Sequence, residues 1–376
     1  MKKLFLASAV SALFAAPTTV LAQAKPGAVP TLDKVLEASG ISVSGYIDMG
    51  YTHADRNIET LAAAAALAGV SAPRVFDNQN NSFVLHQLGL SISKQPKEGF
   101  GGLVNFTTGK DAPVINSGNP NDPPASQFDL TQAYAQYARG KLTLIAGKFV
   151  TLQGSEVIWS PTNPNISRSI LFGAIPFTHT GVRGAWAVND QVSLYAGLNN
   201  GWDQLTDSNR AKTVELGASL TPIKPLAIVV SDYYGKEPVA GGDGKRNSFN
   251  AVASYAISDP LSVGVEYLTV SQEQPSGAKP KYSGVALYGS YMFTPKYRGV
   301  LRFESFNDND GLHFGTAGQK YKEVTVTGAY LPADNFEMRA EVRRDTATNP
   351  VFSDFDTPTN FSKSLMTVAL QGLYKF

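Results

Sequence analysis

Along most of the chain, apolar residues recur at every second position. Phe336, Met338, Ala340 and Val342 alternate with Glu337, Arg339, Glu341 and Arg343. A period of two sends successive side chains to opposite faces of a strand. Each such run therefore predicts a strand with one apolar and one polar face. The same rule separates Leu261, Val263, Val265 and Tyr267 from Ser262, Gly264 and Glu266, and Val214, Leu216, Ala218 and Leu220 from Thr213, Glu215, Gly217 and Ser219. Strands are expected near 43–53, 82–94, 99–109, 127–139, 141–150, 178–188, 191–200 and 211–221. Eight more are expected near 225–235, 246–257, 260–271, 281–294, 297–307, 320–332, 335–345 and 363–376. The runs at 141–150 and 225–235 mix the two parities.

The connections alternate in length. Tight turns fall at Gln95–Glu98, Gly140, Asn189-Asp190, Thr221–Lys224, Ser258–Pro260, Thr294–Lys296 and Pro332–Asn335. Longer polar stretches occupy 54–81, 110–126, 151–177, 201–210, 236–245, 272–280, 308–319 and 346–362. Short turns at one end and long loops at the other, with both termini on the short-turn side, predict an all-β, transmembrane, up-and-down antiparallel barrel of about 16 strands, with short periplasmic turns and long external loops. A soluble sandwich gives no reason for this segregation. Closure follows because a sheet in hydrocarbon cannot leave edge amides unpaired. Sixteen strands enclose more space than their side chains fill, so a watery interior is expected. Tyr282, Phe293, Tyr297, Tyr330 and Tyr374, near strand ends, suit interfacial girdles. The terminal Phe376 ends an apolar alternating strand and resembles the signal read by the barrel assembly machinery.

The start of the chain supplies an address. Lys2 and Lys3 precede an apolar run from Leu4 to Ala16 and the small-residue pattern Ala22-Gln23-Ala24. Residues 1–24 thus read as a secretory signal peptide, too short in its apolar part to span a membrane. Residues 25–42 are expected to form a short periplasmic segment with a helical turn, and 43–376 the barrel. Outer-membrane lipid is then the surrounding solvent.

Composition narrows the chemistry. With 16 Tyr, 20 Phe and 34 Gly but only 17% charged residues, the chain favours β structure with many turns. Removing Lys2 and Lys3 from 32 basic residues leaves 30 against 31 acidic ones, which excludes the basic excess of a nucleic-acid binder. No cysteine is present, and His53, His86, His179 and His313 lack partners at ligand spacing, so neither a metal nor another cofactor is expected. No nucleophile elbow, P-loop or zinc-protease motif occurs, so an enzyme is not expected. His86 has the parity of the lipid face, but no serine pairs with it.

Longer segments carry a family resemblance. These are the stretch from Arg74 to Ser93, with Val75-Phe76-Asp77-Asn78-Gln79-Asn80-Asn81-Ser82-Phe83, then Ala146-Gly147-Lys148-Phe149-Val150, Gly154-Ser155-Glu156-Val157-Ile158 and Ser160-Pro161-Thr162-Asn163. To them belong Ser167-Arg168-Ser169, Phe172-Gly173, Pro176 through Arg183, Asn200-Gly201-Trp202-Asp203 and Leu373-Tyr374-Lys375-Phe376. Together they resemble the putative beta-barrel porin-2 family, also described as OmpL-like. The resemblance spans nearly the whole mature chain and implies an outer-membrane porin without an assigned solute. The Ala-rich stretch Leu61–Val70 departs from it.

In general porins the loop after the fifth strand folds inward. Here that loop, 151–177, carries chiefly Glu156 and Arg168 as charges, with Trp159 and several prolines, and is the candidate constriction. By parity the wall residues Asp48, Arg183, Glu215, Glu266, Arg302, Glu304, Arg339 and Glu341 face it, joined by Lys148 if the fifth strand carries a bulge. Two roles fit these charges: rows that sort solutes, or pairs that satisfy one another. His179 reads as a structural, hydrogen-bonded residue. The expected function is passive diffusion of small hydrophilic solutes or ions. The alternative is a barrel plugged by its loops and serving as an adhesin or anchor. A homotrimer is compatible with the sequence but not specified by it.

Overall fold

The computed structural model describes residues 32–59, 71–117 and 126–376. The expected signal peptide, 1–24, and the Leu61–Val70 stretch lie outside the described residues. A helix, α1 (Leu32–Ser39), leads into β1 (Ser42–Ala54). Then follow β2 (Ser82–Lys94), β3 (Gly99–Thr108), β4 (Phe128–Arg139), β5 (Leu142–Val150), β6 (Thr178–Asn189), β7 (Val192–Asn199) and β8 (Thr213–Ile223). Next come β9 (Leu226–Val239), β10 (Gly242–Ala256), β11 (Leu261–Gln272), β12 (Lys281–Thr294), β13 (Tyr297–Asp308), β14 (Gln319–Ala333) and β15 (Phe336–Ala347). A small hairpin, β16 (Phe352–Ser353) with β17 (Phe361–Ser362), precedes the last strand, β18 (Ser364–Lys375). Strands β1 to β15 pair in sequence order, and β18 bonds to both β15 and β1, closing a barrel of the sixteen expected strands.

The alternation appears as burial. In β14 every second residue from Gln319 to Ala329 is buried, while Val324, Val326 and Tyr330 are exposed to the lipid side. Phe293, Tyr297 and Tyr374 are likewise outward. Tyr282 is not: it lies on the inner row of β12, buried, and donates to the Ala174 carbonyl (2.7 Å). Its assignment to the girdle fails because polarity does not mark the inner face at this height. Leu268, Val270, Phe306 and Tyr321 also point inward there, packing against Ile170, Leu171 and Ile175 of loop 151–177 and Phe314 and Phe352 of later loops.

One expected loop is absent. Residues 236–245 extend β9 and β10 and turn through two residues only. Strand pairing continues beyond the hydrocarbon, where both faces tolerate polar side chains, so polarity there was no sign of a loop. His86 also departs from its parity. A bulge lies where Asp48 pairs with Gln87 but Met49 with Leu85, leaving His86 unpaired in the ladder. One extra residue turns a side chain to the other face, and His86 is buried against Asp111 (3.1 Å).

The closing seam runs past the last strand. Gly45 N donates to the Phe376 carbonyl (2.7 Å) and Phe376 N to that of Gly45 (2.9 Å), with the ring lying over Gly45 where a Cβ would collide. Deleting Phe376 removes both bonds and is expected to cost about 1–3 kcal/mol, read as a lower urea midpoint in micelles. Phe376→Ala keeps the bonds and should lose less.

Candidate functional site

Loop 151–177 has backbone groups but no strand partner, and a buried amide needs an acceptor. The inner wall provides them. Leu152 N donates to Tyr233 Oη on β9 (2.9 Å), Gly154 N to Asn250 on β10 (3.1 Å) and Ser155 N to Glu266 on β11 (2.9 Å). Ile166 N and Ser167 N share the two oxygens of Glu341 on β15 (2.7 and 3.0 Å). A single helical turn, Ile170–Gly173, then presents the free N–H groups that any helix start exposes. Ser169 N is taken by Glu156 (2.7 Å), Ile170 N and Leu171 N by Glu304 on β13 (2.7 and 2.6 Å), and Phe172 N by the Ser169 hydroxyl (3.1 Å). At the loop's exit, Asp203 Oδ1 accepts from Phe177 N and Thr178 N (both 2.8 Å).

Arginines hold the carbonyls. Arg302 bonds Glu156 (2.6 Å), the Ser167 carbonyl (2.7 Å) and Glu323 (2.9 Å). Arg343 reaches the Arg168 carbonyl (2.5 Å) while paired with Asp345 (2.7 Å). Arg339 pairs with Glu337 (2.7 Å) and reaches Asn165 O (3.2 Å). Among the described residues, Arg168 meets no carboxylate at ion-pair distance. It donates to Val157 O, Ile158 O and Ile166 O (3.0–3.1 Å) and lies over Phe76 and Phe172. Burial pushes its guanidinium below its ordinary pKa, Glu156 opposing. Gly284 on β12 leaves room for Leu171; a Cβ there would stand 2.6 Å from its methyl.

The remaining expected residues divide. Arg183 is clamped to Glu215 by two bonds, one of 2.8 Å, over the Phe149 ring. Asp48 is buried on β1 with Oδ1 lacking a hydrogen bond among the described residues. Lys148 is bound to Asp129 (3.1 Å) and Leu130 O (2.8 Å) and does not reach loop 151–177. Its strand pairs without a shift; the bulge lies in β4, at Thr131. His179 is buried, bonded to Gly201 O (3.0 Å) and stacked on Tyr233. Sequence reasoning gave no role to Asp203 or to Arg74, which it met only inside resembling segments; Arg74 pairs with Asp77 (2.8 Å) in the first loop and crosses to Asp345 (3.5 Å) and Thr367 (2.6 Å).

At mid-height the inward positions Gln87, Asn105, Glu215, Ser248, Glu266, Arg302 and Thr325 are each 1% exposed or less. The space that wall side chains cannot fill is taken by loop backbone. No group of three or more metal-ligating side chains occurs among the described residues.

A closed sixteen-strand barrel with an apolar outer belt and a loop docked on a charged inner wall is a porin-type outer-membrane protein. The chain belongs to the family described as "Putative beta-barrel porin-2, OmpL-like", which matches residues 40–374. It is thus an outer-membrane porin, a channel for solute diffusion. Similar solved structures include OprB of Pseudomonas putida (11% identity, TM-score 0.61, 92% of this chain and 96% of that one). Outer-membrane-expressed OmpT of Vibrio cholerae has 11% identity and TM-score 0.59, covering 89% and 97%. An anion-selective porin from Comamonas acidovorans has 10% identity and TM-score 0.59, covering 89% and 99%. No curated protein matches the chain.

Arg302→Met would leave Glu156 and Glu323 buried without their partner, a loss of about 3–5 kcal/mol. Arg168 is the only basic residue in loop 151–177. Trypsin is therefore expected to cut after Arg168 in that variant and to spare it in the folded wild type, read by mass spectrometry. Burial pushes the Asp203 carboxyl up to about 6, its two backbone donors opposing. The native state then holds a proton that the unfolded chain has lost, so stability falls as pH rises from about 4 to about 6. Asp203→Asn keeps the acceptor without the charge. It is expected to exceed wild type in urea midpoint at neutral pH, with the gap closing below about pH 4.

Proposed function

We propose that loop 151–177 is the constriction of this channel, and that it passes small hydrophilic solutes with little preference for charge. The observation that carries this reading is the capture of the loop's amides by Glu266, Glu304 and Glu341, buried carboxylates on the inner wall. They hold the loop across the lumen. Lys148, Arg168, Arg183, Arg302 and Arg339 each engage a carboxylate or a carbonyl, so little net field remains to sort ions. Toward the periplasmic end the inner rows carry half-buried Ser91, Thr143, Ser193, Ser219, Ser254 and Ser290, hydroxyls that can hydrate neutral solutes. On this reading the protein performs no catalysis. Trimeric assembly is the corresponding expectation, supported by the similarity to a trimer form of OmpT of Vibrio cholerae.

A second reading has its own support. The near-complete burial of the mid-height inner wall also fits a barrel plugged by its loops, acting as an adhesin or anchor. Planar-bilayer recording separates the two. For the constriction, wild type is expected to give discrete conductance steps with a reversal potential near zero across a salt gradient, and Glu304→Gln/Glu341→Gln larger steps. A silent wild type with a conducting variant would favour the plug. Silence from both would remove the channel reading.

A further inference from the structure

At the external rim the outward row of β14 begins with two exposed lysines, Lys320 and Lys322, directly above the lipid-facing Val324 and Val326. On β15 the exposed Arg344 stands above Val342. Thr346 lies opposite Lys322 and Arg344 opposite Val324. Lys322 and Arg344 are therefore diagonal neighbours, with Cβ atoms roughly 7 Å apart. Lys320 stands about 7 Å beyond, two residues along its strand.

Among the described residues, no acid stands on the outward rows of β13, β14 or β15. The β13 residues opposite the lysines are Ser305 and Asn307. The acids toward the external ends of these strands, Glu323, Asp345 and Asp308, point inward and are buried, Glu323 bound by Arg302 and Asp345 by Arg343. Lys320, Lys322 and Arg344 make no ion pair among the described residues. Three cations this close repel one another unless an external anion joins them.

We propose that Lys320, Lys322 and Arg344 bind the phosphate groups of an anionic outer-leaflet lipid, its acyl chains lying along Phe303, Val324, Val326 and Val342. Long basic side chains at the edge of an apolar belt lay their stems on it and place their charges among the headgroups. Arg344 supplies a planar fork that matches two phosphate oxygens, and the lysines supply point charges. The three lie on the outer wall rather than in the mouth, which favours a lipid over a free anion drawn to the channel.

The test uses the full refolded barrel in phosphatidylcholine vesicles containing diphosphoryl lipid A, re-extracted gently, with retained lipid counted by native mass spectrometry. Wild type is expected to retain diphosphoryl lipid A over its dephosphorylated form. Lys320→Gln/Lys322→Gln/Arg344→Gln should lower retention about a hundredfold, at about fivefold per charge. Lys322→Gln alone should lower it about fivefold. Arg139→Gln/Lys141→Gln/Lys224→Gln, at the periplasmic rim, should match wild type. Heat-modifiable gel migration reports folding of each variant. Unchanged retention in both external-rim variants, or equal retention of the dephosphorylated lipid, would overturn the proposal. So would displacement by equimolar inorganic phosphate, which would assign the cations to free anions instead.

Discussion

The backbone N–H group governs this structure. In hydrocarbon it has no water to bond, and the sheet answers by closing, β18 onto β1, with Gly45 and Phe376 continuing the seam. Inside the barrel the same demand returns for a loop with no neighbouring strand. There the answer is side chains: Glu266, Glu304 and Glu341 accept what a ladder would otherwise accept. A carboxylate with two oxygens can serve two successive amides, as Glu304 and Glu341 both do.

Other buried acids on the wall and the loop are matched by charge, since an unpaired charge away from water is costly. Arg302 pairs with Glu156 and Glu323, Arg339 with Glu337 and Arg343 with Asp345, and all three reach the loop's carbonyls as well, so wall and loop form one polar network. Between that network and the external mouth the interior turns apolar, with Leu268, Tyr282 and Phe306 against Ile170 and Leu171. The barrel is therefore a support on which a segment of irregular backbone is fixed. Its permeation properties depend on that segment more than on the width of the cylinder.

Resemblance to solved porins at 10–11% identity over about nine-tenths of the chain fits this division. Closure asks only for a period of two, apolar residues outward and turns in the right places, which many sequences satisfy. The docked loop is more demanding. Glu304 and Ile170 lie 134 residues apart in sequence, and Glu341 and Ile166 lie 175 apart.

Strand number, closure, the direction of the chain and the inward placement of Glu266, Arg302 and Arg339 were legible from the sequence alone, because parity is local and repeats along every strand. Parity misled where something local broke it. One extra residue at His86 turned that side chain inward, and Lys148 found its partner across the neighbouring strand rather than at the loop. At Tyr282 it was the position of an aromatic near a strand end that misled: an inner face looks apolar when a distant loop covers it. Which acid binds which amide, whether a charge lines water or holds backbone, and how much of the lumen remains were decided only in three dimensions. Those outcomes depend on register summed around a closed ring, and no single strand carries that information.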